Sequence, residues 1–454
     1  MLNPKKADWN IFVISFAVVG VTAFIYYSYY GVGNNRLLLA ILHSFCSSLT
    51  MVYVLAKVEK SSQKKGFSLV AVLLIVMVLY NQNSVTKFSV RSLFEGYTDN
   101  NMIRLLGGVY VDVIIIITTF FWSRYRQNKL RKSFNVFTGE KKIIHISSYV
   151  MYGMVTVLFL ISQLASSVYT ISRSQKTFVE AIYYVTCATE VIYVKNRENK
   201  KSLRKYIPLL LVGVLRVVEA MTHGGKSAIV KYLLIIALGL WYMDVLKFKY
   251  IKLATCISPA VLQLVTIITE IVSNRMVYFN EEWVMRYHAF RYDLSDFSIT
   301  IALKSDFSYG FRLIRDAIVF AIPGFDMQEK NNILYNGAYR KQMASIGLSA
   351  VDMTGNLEDF NDTLFSIGAE IFGIIGMFLF FAFTVAFFEW ISKKLLKSKV
   401  GYMLLLVLIG PACLVECDLL TFVYTIRDSA LICLMAYYSF KIIKILQHRG
   451  IYGR

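Results

Sequence analysis

The sequence predicts an all-α polytopic membrane protein with about twelve transmembrane helices, and three observations carry that expectation. Of the 454 residues, 56% are hydrophobic, and mean hydropathy is +0.53. Apolar runs of roughly 18–20 residues recur from end to end, and at 1.5 Å rise each is long enough to cross a ~30 Å hydrocarbon core. Basic residues collect in alternate connecting segments, as the positive-inside rule requires.

The spans expected, in order, are 9–29, 37–56, 66–81, 105–122, 143–164, 178–194, 206–222, 228–245, 250–272, 363–390, 400–418 and 428–446. The first follows Lys5 and Lys6, and its run from Trp9 to Tyr27 is too long for a signal-peptide core of roughly 7–15 residues. No small-residue cleavage site follows, so it reads as a retained helix. The third is short, its apolar core stopping near Tyr80. The eleventh contains Gly410-Pro411, an expected kink. With the N-terminus placed inside, the inner segments hold 30 Lys and Arg and the five short outer loops hold 8. That asymmetry puts both termini in the cytoplasm and segment 273–362 outside. No internal repeat and no Pro-rich or Gly/Ser-rich linker divides the chain, so 1–454 reads as one integral membrane domain.

Segment 273–362 is the longest stretch that lipid would not accept. Phe307 to Ile322 within it has apolar residues at helical spacing with Arg312, Arg315 and Asp316 opposite, which predicts an amphipathic helix on the membrane surface. Pro323-Gly324 ends it. A loop of about 90 residues that keeps aromatics and periodic apolar positions is usually functional.

The net charge of +20 follows from the basic inner loops and does not point to nucleic acid. The six cysteines, Cys46, Cys187, Cys256, Cys413, Cys417 and Cys433, all fall in expected spans, as small apolar residues do. Walker, His-Glu-x-x-His and Gly-x-Ser-x-Gly patterns are absent. No carboxylate or His cluster at ligand spacing marks the outer segments, so no metal and no cofactor is expected.

The ionisable residues near the outer face carry more information. Arg216 and Glu219 lie in the seventh span, three residues apart. Charge in a bilayer faces a partner or a watery cavity, so they read either as a packing ion pair or as part of a site. Gly224-Gly-Lys-Ser227 opens the eighth span, where free backbone N–H groups and Lys226 suit an anion; the plainer reading is a tight turn with a snorkelling lysine. Arg275, Arg286, Arg291 and Arg340 complete the loop's arginines, interleaved with Tyr278, Trp283, Tyr287, His288, Tyr292, Asp293 and Asp296. A guanidinium matches phosphate oxygens with a planar fork and stays charged when buried. The alternative is an interfacial aromatic belt whose charges pair with the loop's own acids. Glu370 lies in Gly368-Ala-Glu-Ile-Phe-Gly-Ile-Ile-Gly376, whose glycines permit close helix approach. Glu416, Asp418, Arg427 and Asp428 surround the last outer turn and read as mutual ion pairs.

In span number, charge layout, long late external loop, Gly-rich turn with Lys226 and the Glu370 helix start, the chain resembles the oligosaccharide repeat-unit polymerases (Wzy; O-antigen or capsule polymerases). The turn departs from the family in having Lys226 where Arg is usual, and the arginine spacings around Arg286, Arg291 and Arg340 do not follow the motifs described for some members. The resemblance implies a GT-C-like membrane glycosyltransferase of polysaccharide biosynthesis in a bacterial plasma (inner) membrane. It implies undecaprenyl-pyrophosphate-linked oligosaccharide as substrate, membrane lipid around it, and a chain-length regulator and a flippase as partners. Arg286 and Arg291 would act at the reaction centre. Arg216, Lys226, Arg275, Arg312, Arg315 and Arg340 would bind pyrophosphate and sugar. Asp293, His288, Asp296 and Glu370 are unranked candidates for the base. An O-antigen ligase of lipopolysaccharide assembly has similar architecture and the same donor. A polysaccharide flippase or other transporter is the reading from a different class, and would place charges along a path through the membrane.

Overall fold

The computed structural model describes residues 6–30, 34–65, 67–91, 101–129, 144–167, 173–199, 202–223, 226–272, 363–413 and 419–448, with 310–311, 314–315 and 317–319 from the long loop. Several side chains inside these helices, Glu219, Lys226 and Glu370 among them, lie outside the description.

The described residues are almost wholly helical. The long helices are α1 (Lys6–Tyr30), α2 (Asn34–Lys65), α3 (Leu69–Arg91), α4 (Asn101–Lys129), α5 (Ser148–Ser167), α6 (Arg173–Lys195), α7 (Ile207–His223), α8 (Lys226–Tyr242), α9 (Phe248–Val272), α10 (Leu364–Leu395), α11 (Lys399–Ala412) and α12 (Leu419–His448). Each overlaps one expected span. Among the described residues, four segments are long and apolar enough to cross a membrane: Ile41–Ser62, Leu106–Gln127, Thr177–Lys195 and Ile371–Leu395. Shorter apolar stretches lie in α1, α3, α5, α8 and α11. Large apolar side chains such as Leu210, Phe121, Phe383 and Trp390 face outward, each more than half exposed. Such a surface is stable against lipid and not against water.

Several boundaries differ from expectation for physical reasons. Helix α3 does not stop near Tyr80: Asn81 and Gln82 are buried and hydrogen-bonded, so the helix carries its polar residues inward and runs on to Arg91. Helix α11 is described to Ala412 with Cys413 as its cap, and residues 414–418 of the expected span lie outside the described residues. Pro411 sits in its last turn, and the Cys413 N–H folds back onto the carbonyls of Ile409 and Gly410. Helix α12 starts at Leu419, well before 428.

The largest difference is in α10. Phe372 (φ −139°, ψ 24°) and Gly373 (φ 65°, ψ −150°) are not helical. The Phe365 and Phe381 rings are 5.0 Å apart, whereas a straight helix would separate those residues by about 24 Å. Gly368 and Gly376 meet backbone to backbone, with no room for a side chain on either. These pairs are centred on 372–373, so residues 364–371 fold back alongside 374–381 as a helical hairpin. Gly373 takes a backbone conformation open to glycine almost alone. The expected span 363–390 is therefore two elements, a short arm before the break at Phe372–Gly373 and a long arm that follows it to Leu395.

One end of the bundle is cross-braced by charge and aromatic contacts. Glu389 of α10 accepts from Ser68 Oγ (2.7 Å) and Trp122 Nε1 (2.9 Å) and pairs with Arg126 (3.5 Å) and Lys393 (3.8 Å). Lys252 of α9 pairs with Glu59 of α2 at 2.7 Å. Phe67 packs on Tyr242, which stacks on Tyr402. Arg197 and Asn196, after α6, donate to the carbonyls of Ile146 and Ile144, before α5. The helix ends gathered here are those whose flanking segments carry the basic residues.

Candidate functional site

Two places bring together residues that could do chemistry. The first is the break in α10, where the long loop re-enters the bundle. Thr363 and Ser366 form a buried capping box, Thr363 N donating to Ser366 Oγ (2.7 Å) and Ser366 N to Thr363 Oγ1 (3.3 Å). These side chains use two of the first-turn donors that would otherwise need a partner. At the break itself the Ile374 carbonyl accepts from Tyr110 Oη of α4 at 2.8 Å. Tyr110–Ile374 and Arg126–Glu389 are separated by nearly equal lengths of the two helices, so α4 and the long arm of α10 run parallel. Loop residues Gly310 and Phe311 lie against the break: Gly310 abuts the Ile371 carbonyl, and the Phe311 and Phe372 rings meet edge to face at 5.2 Å. Ala317 is buried, Ile314 packs on the core, and Arg315 is exposed. The described residues of this stretch are helical, with Gly310 and Ala317 buried and Phe311, Arg315 and Ile318 exposed, while Arg312 and Asp316 lie outside the described residues; Glu370 lies on the short arm of the hairpin next to it.

The second place is a ladder of polar groups along α6, facing α7 and α8. Arg216 of α7 stacks its guanidinium 3.6 Å above the Tyr183 ring. It lies within electrostatic reach of Glu190, which is fully buried. Tyr232 of α8 donates to the Leu209 carbonyl at 2.7 Å and sits 3.4 Å from Glu190 Oε2. Glu190 Oε1 has no hydrogen-bond partner among the described residues, and among them the Tyr183 hydroxyl has only the Cys187 thiol within reach. One turn toward the start of α6, Lys231 lies 5.1 Å from the Tyr184 ring, within bonding reach of its hydroxyl and in the field of Glu180.

Arg216 is thus placed inside the bundle, with Glu190 as a described acid in its field. Lys226 opens α8, as the Gly-rich turn suggested. Arg275, Arg286, His288, Arg291, Asp293, Asp296, Arg312 and Arg340 lie outside the described residues, as do Glu416 and Asp418 of the last outer turn. Arg427 and Asp428 pair at 2.7 Å, and Asp428 also accepts from Thr177 at 3.0 Å. Cys46, Cys187, Cys256, Cys413 and Cys433 are free thiols. Among the described residues no three His, Cys, Asp or Glu side chains are grouped to hold a metal ion.

Sequence reasoning missed the α6 ladder. The signal was present: Glu180, Tyr183, Tyr184, Cys187 and Glu190 recur at helical spacing inside an apolar run, and intramembrane acids are rare enough to mark function. Comparison with protein families, curated proteins and solved structures finds no match for this chain.

Proposed function

We propose that the protein is a membrane glycosyltransferase that polymerises lipid-linked oligosaccharide repeat units at the outer face of the bacterial plasma membrane. The observation that carries this reading is the return of the arginine-rich loop into the bundle as a folded-back half-helix at Phe372–Gly373. Broken helices of this kind occur in membranes where backbone lines a cavity or site. The break gathers the short arm that carries Glu370, the described loop residues around Phe311 and Arg315, and Tyr110 of α4, at the end opposite the basic, cross-braced end. An apolar cleft of about 250 Å³ between α10, α11 and α12, lined by Phe387, Phe388, Leu408, Pro411, Phe422 and Ile426, suits a hydrocarbon tail.

In the reaction, the bond between the anomeric carbon and the pyrophosphate oxygen breaks, and a bond to an acceptor sugar hydroxyl forms. The hydroxyl proton passes to a base, for which Asp293, Asp296, His288 and Glu370 are candidates. The lipid pyrophosphate leaves with growing negative charge. Arg275, Arg286, Arg291 and Lys226 supply positive charge where it develops. Loss of one such contact costs about 3–4 kcal/mol, or roughly 10²–10³ in rate.

Arg286→Ala and Arg291→Ala are therefore expected to accumulate single repeat units on lipid at normal protein levels. Arg286→Lys keeps part of the activity, because a lysine cannot replace a bidentate contact, and Arg340→Ala is milder. Wild-type polymer length from a stably expressed Arg286→Ala, Arg291→Ala double variant overturns the reading. Activity is expected to survive EDTA; complete loss restored by magnesium refutes the metal-free mechanism.

The α6 ladder favours a second reading, a transporter of lipid-linked or free saccharide. Charges at Glu180, Lys231, Arg216 and Glu190 lie along the interior of the helices rather than at one face. Reconstituted vesicles separate the two: a polymerase lengthens lipid-linked units on the side where they are supplied, whereas a transporter moves them across unchanged.

A further inference from the structure

The four N-terminal helices bury a polar layer that the proposed chemistry does not use. Asp112 of α4, near the middle of its helix, is 3% exposed. Its Oδ1 accepts from Asn81 Nδ2 of α3 at 2.8 Å. Its Oδ2 is enclosed and has no hydrogen-bond partner among the described residues. The surrounding oxygens are all buried: Ser15 of α1, Ser47, Ser48 and Thr50 of α2, and Asn81 and Gln82 of α3. Ser47 Oγ accepts from Asn81 Nδ2 (3.3 Å) and Gln82 Nε2 (3.1 Å). Ser15 Oγ lies 3.1 Å from Gln82 Oε1 and 3.2 Å from Ser48 Oγ. The Thr50 hydroxyl bonds the Cys46 carbonyl at 3.0 Å and is also within hydrogen-bonding reach of the Asp112 carboxylate.

We propose that Asp112 is the anionic ligand of a sodium-ion site in the middle of the α1–α4 bundle. Charge balance selects the ion. A carboxylate within a membrane bundle demands a counter-charge, and a single carboxylate is matched by one positive charge; calcium sites draw on several carboxylates. The donors present are hydroxyl, amide-carbonyl and carboxylate oxygens, which suit a hard cation. The titratable groups that face the layer are His43 and Cys46, both on α2. His43 packs against Gly108, one turn from Asp112 on α4, and Cys46 lies in the Asp112 field. The described parts of α1 and α3 contribute only hydroxyls and amides here. A bound ion would link four helices at one level, since Ser15, Ser47, Gln82 and Asp112 are already joined through Asn81. The proposal is independent of the polymerase reading, and either can fail without the other.

The test is binding of radiolabelled sodium to the purified full chain in detergent, with thermal stability followed in sodium, potassium and choline chloride at equal ionic strength. Wild type is expected to bind one sodium per chain saturably and to gain several degrees in Tm with sodium but not with choline. Asp112→Asn, close in shape and uncharged, stays folded, binds none and is indifferent to the salt. Ser47→Ala weakens binding severalfold and keeps the stoichiometry. Folded wild-type protein without saturable sodium binding overturns the proposal. So does Asp112→Asn that binds like wild type, or stability that follows pH alone and ignores sodium, which would leave a proton on the carboxylate. His43→Gln that loses stability equally in every salt while wild type binds no sodium makes His43 the counter-charge and also overturns it.

Discussion

Glu389 and Glu190 are both acids on apolar helices, 5% and 0% exposed, and they are held in opposite ways. Glu389 is met by Ser68, Trp122, Arg126 and Lys393 from α10, α4 and the segment before α3. Glu190 has one long hydrogen bond, from Tyr232 at 3.4 Å, and shares the field of Arg216, whose guanidinium is spent on the Tyr183 ring. The first arrangement fixes helix ends and leaves little for a ligand to gain. The second keeps polar capacity in reserve inside the bundle. Buried charge alone does not mark function, therefore; one carboxylate oxygen of each acid lacks a hydrogen bond among the described residues, and the useful distinction is how many partners from its own protein surround the charge.

Removing Glu389 should give the largest effect on folding. Glu389→Ala leaves Arg126, 2% exposed, without its acid, and stranding one partner of a buried pair costs about 3–5 kcal/mol. The variant should show a large fall in the yield of monodisperse detergent-solubilised protein. Pairing it with Arg126→Met should restore much of that yield, because an apolar pair of similar volume avoids the stranded charge. A normal yield from Glu389→Ala alone would dissolve the contrast between the two acids.

The next effect in size belongs to the α10 hairpin. At Gly373 any other residue is strained by its positive φ, at about 1–3 kcal/mol. Cysteines introduced at Phe365 and Phe381 should cross-link under mild oxidation, since the rings they replace are 5.0 Å apart. Adding Gly373→Ala should slow that cross-linking and lower activity. Failure of the pair to cross-link in an otherwise wild-type background would mean that α10 is straight.

The apolar runs and the alternation of basic loops made the order of the helices legible, because both depend on local composition. The hairpin was not legible: Gly368, Gly373 and Gly376 read equally well as a smooth packing face, and only the tertiary contact of Phe365 with Phe381 decides between them. In sequence the apolar core of α3 ends near Tyr80, and only the partners on other helices, Asp112 and Ser47, show that Asn81 and Gln82 continue the helix inside the bundle. Arg216 was noticed, but with Glu219 as its neighbour in sequence. The partners found in space, Tyr183 and Glu190, come from another helix. For the loop arginines and Glu370, the sequence supplied residue types suited to pyrophosphate, and their side chains lie outside the described residues.

The smallest effect on stability should come from Glu190→Gln, and it is the most informative. Glutamine keeps an oxygen for the Tyr232 hydroxyl and nearly the same volume, so packing against α7 and α8 is unchanged. What disappears is the negative charge shared with Arg216. If the ladder only glues helices together, Glu190→Gln should match wild type in Tm, expression and polymer length, since glutamine serves the same bond. If the ladder handles substrate, protein yield and Tm stay close to wild type while product formation or transport drops. Arg216→Gln, which removes the other charge, should then give the same defect, and the Glu190→Gln, Arg216→Gln double variant should be no worse than either alone, because the two act as one unit. Defects that simply add in the double variant would separate the two residues and return Arg216 to the outer, pyrophosphate-binding role.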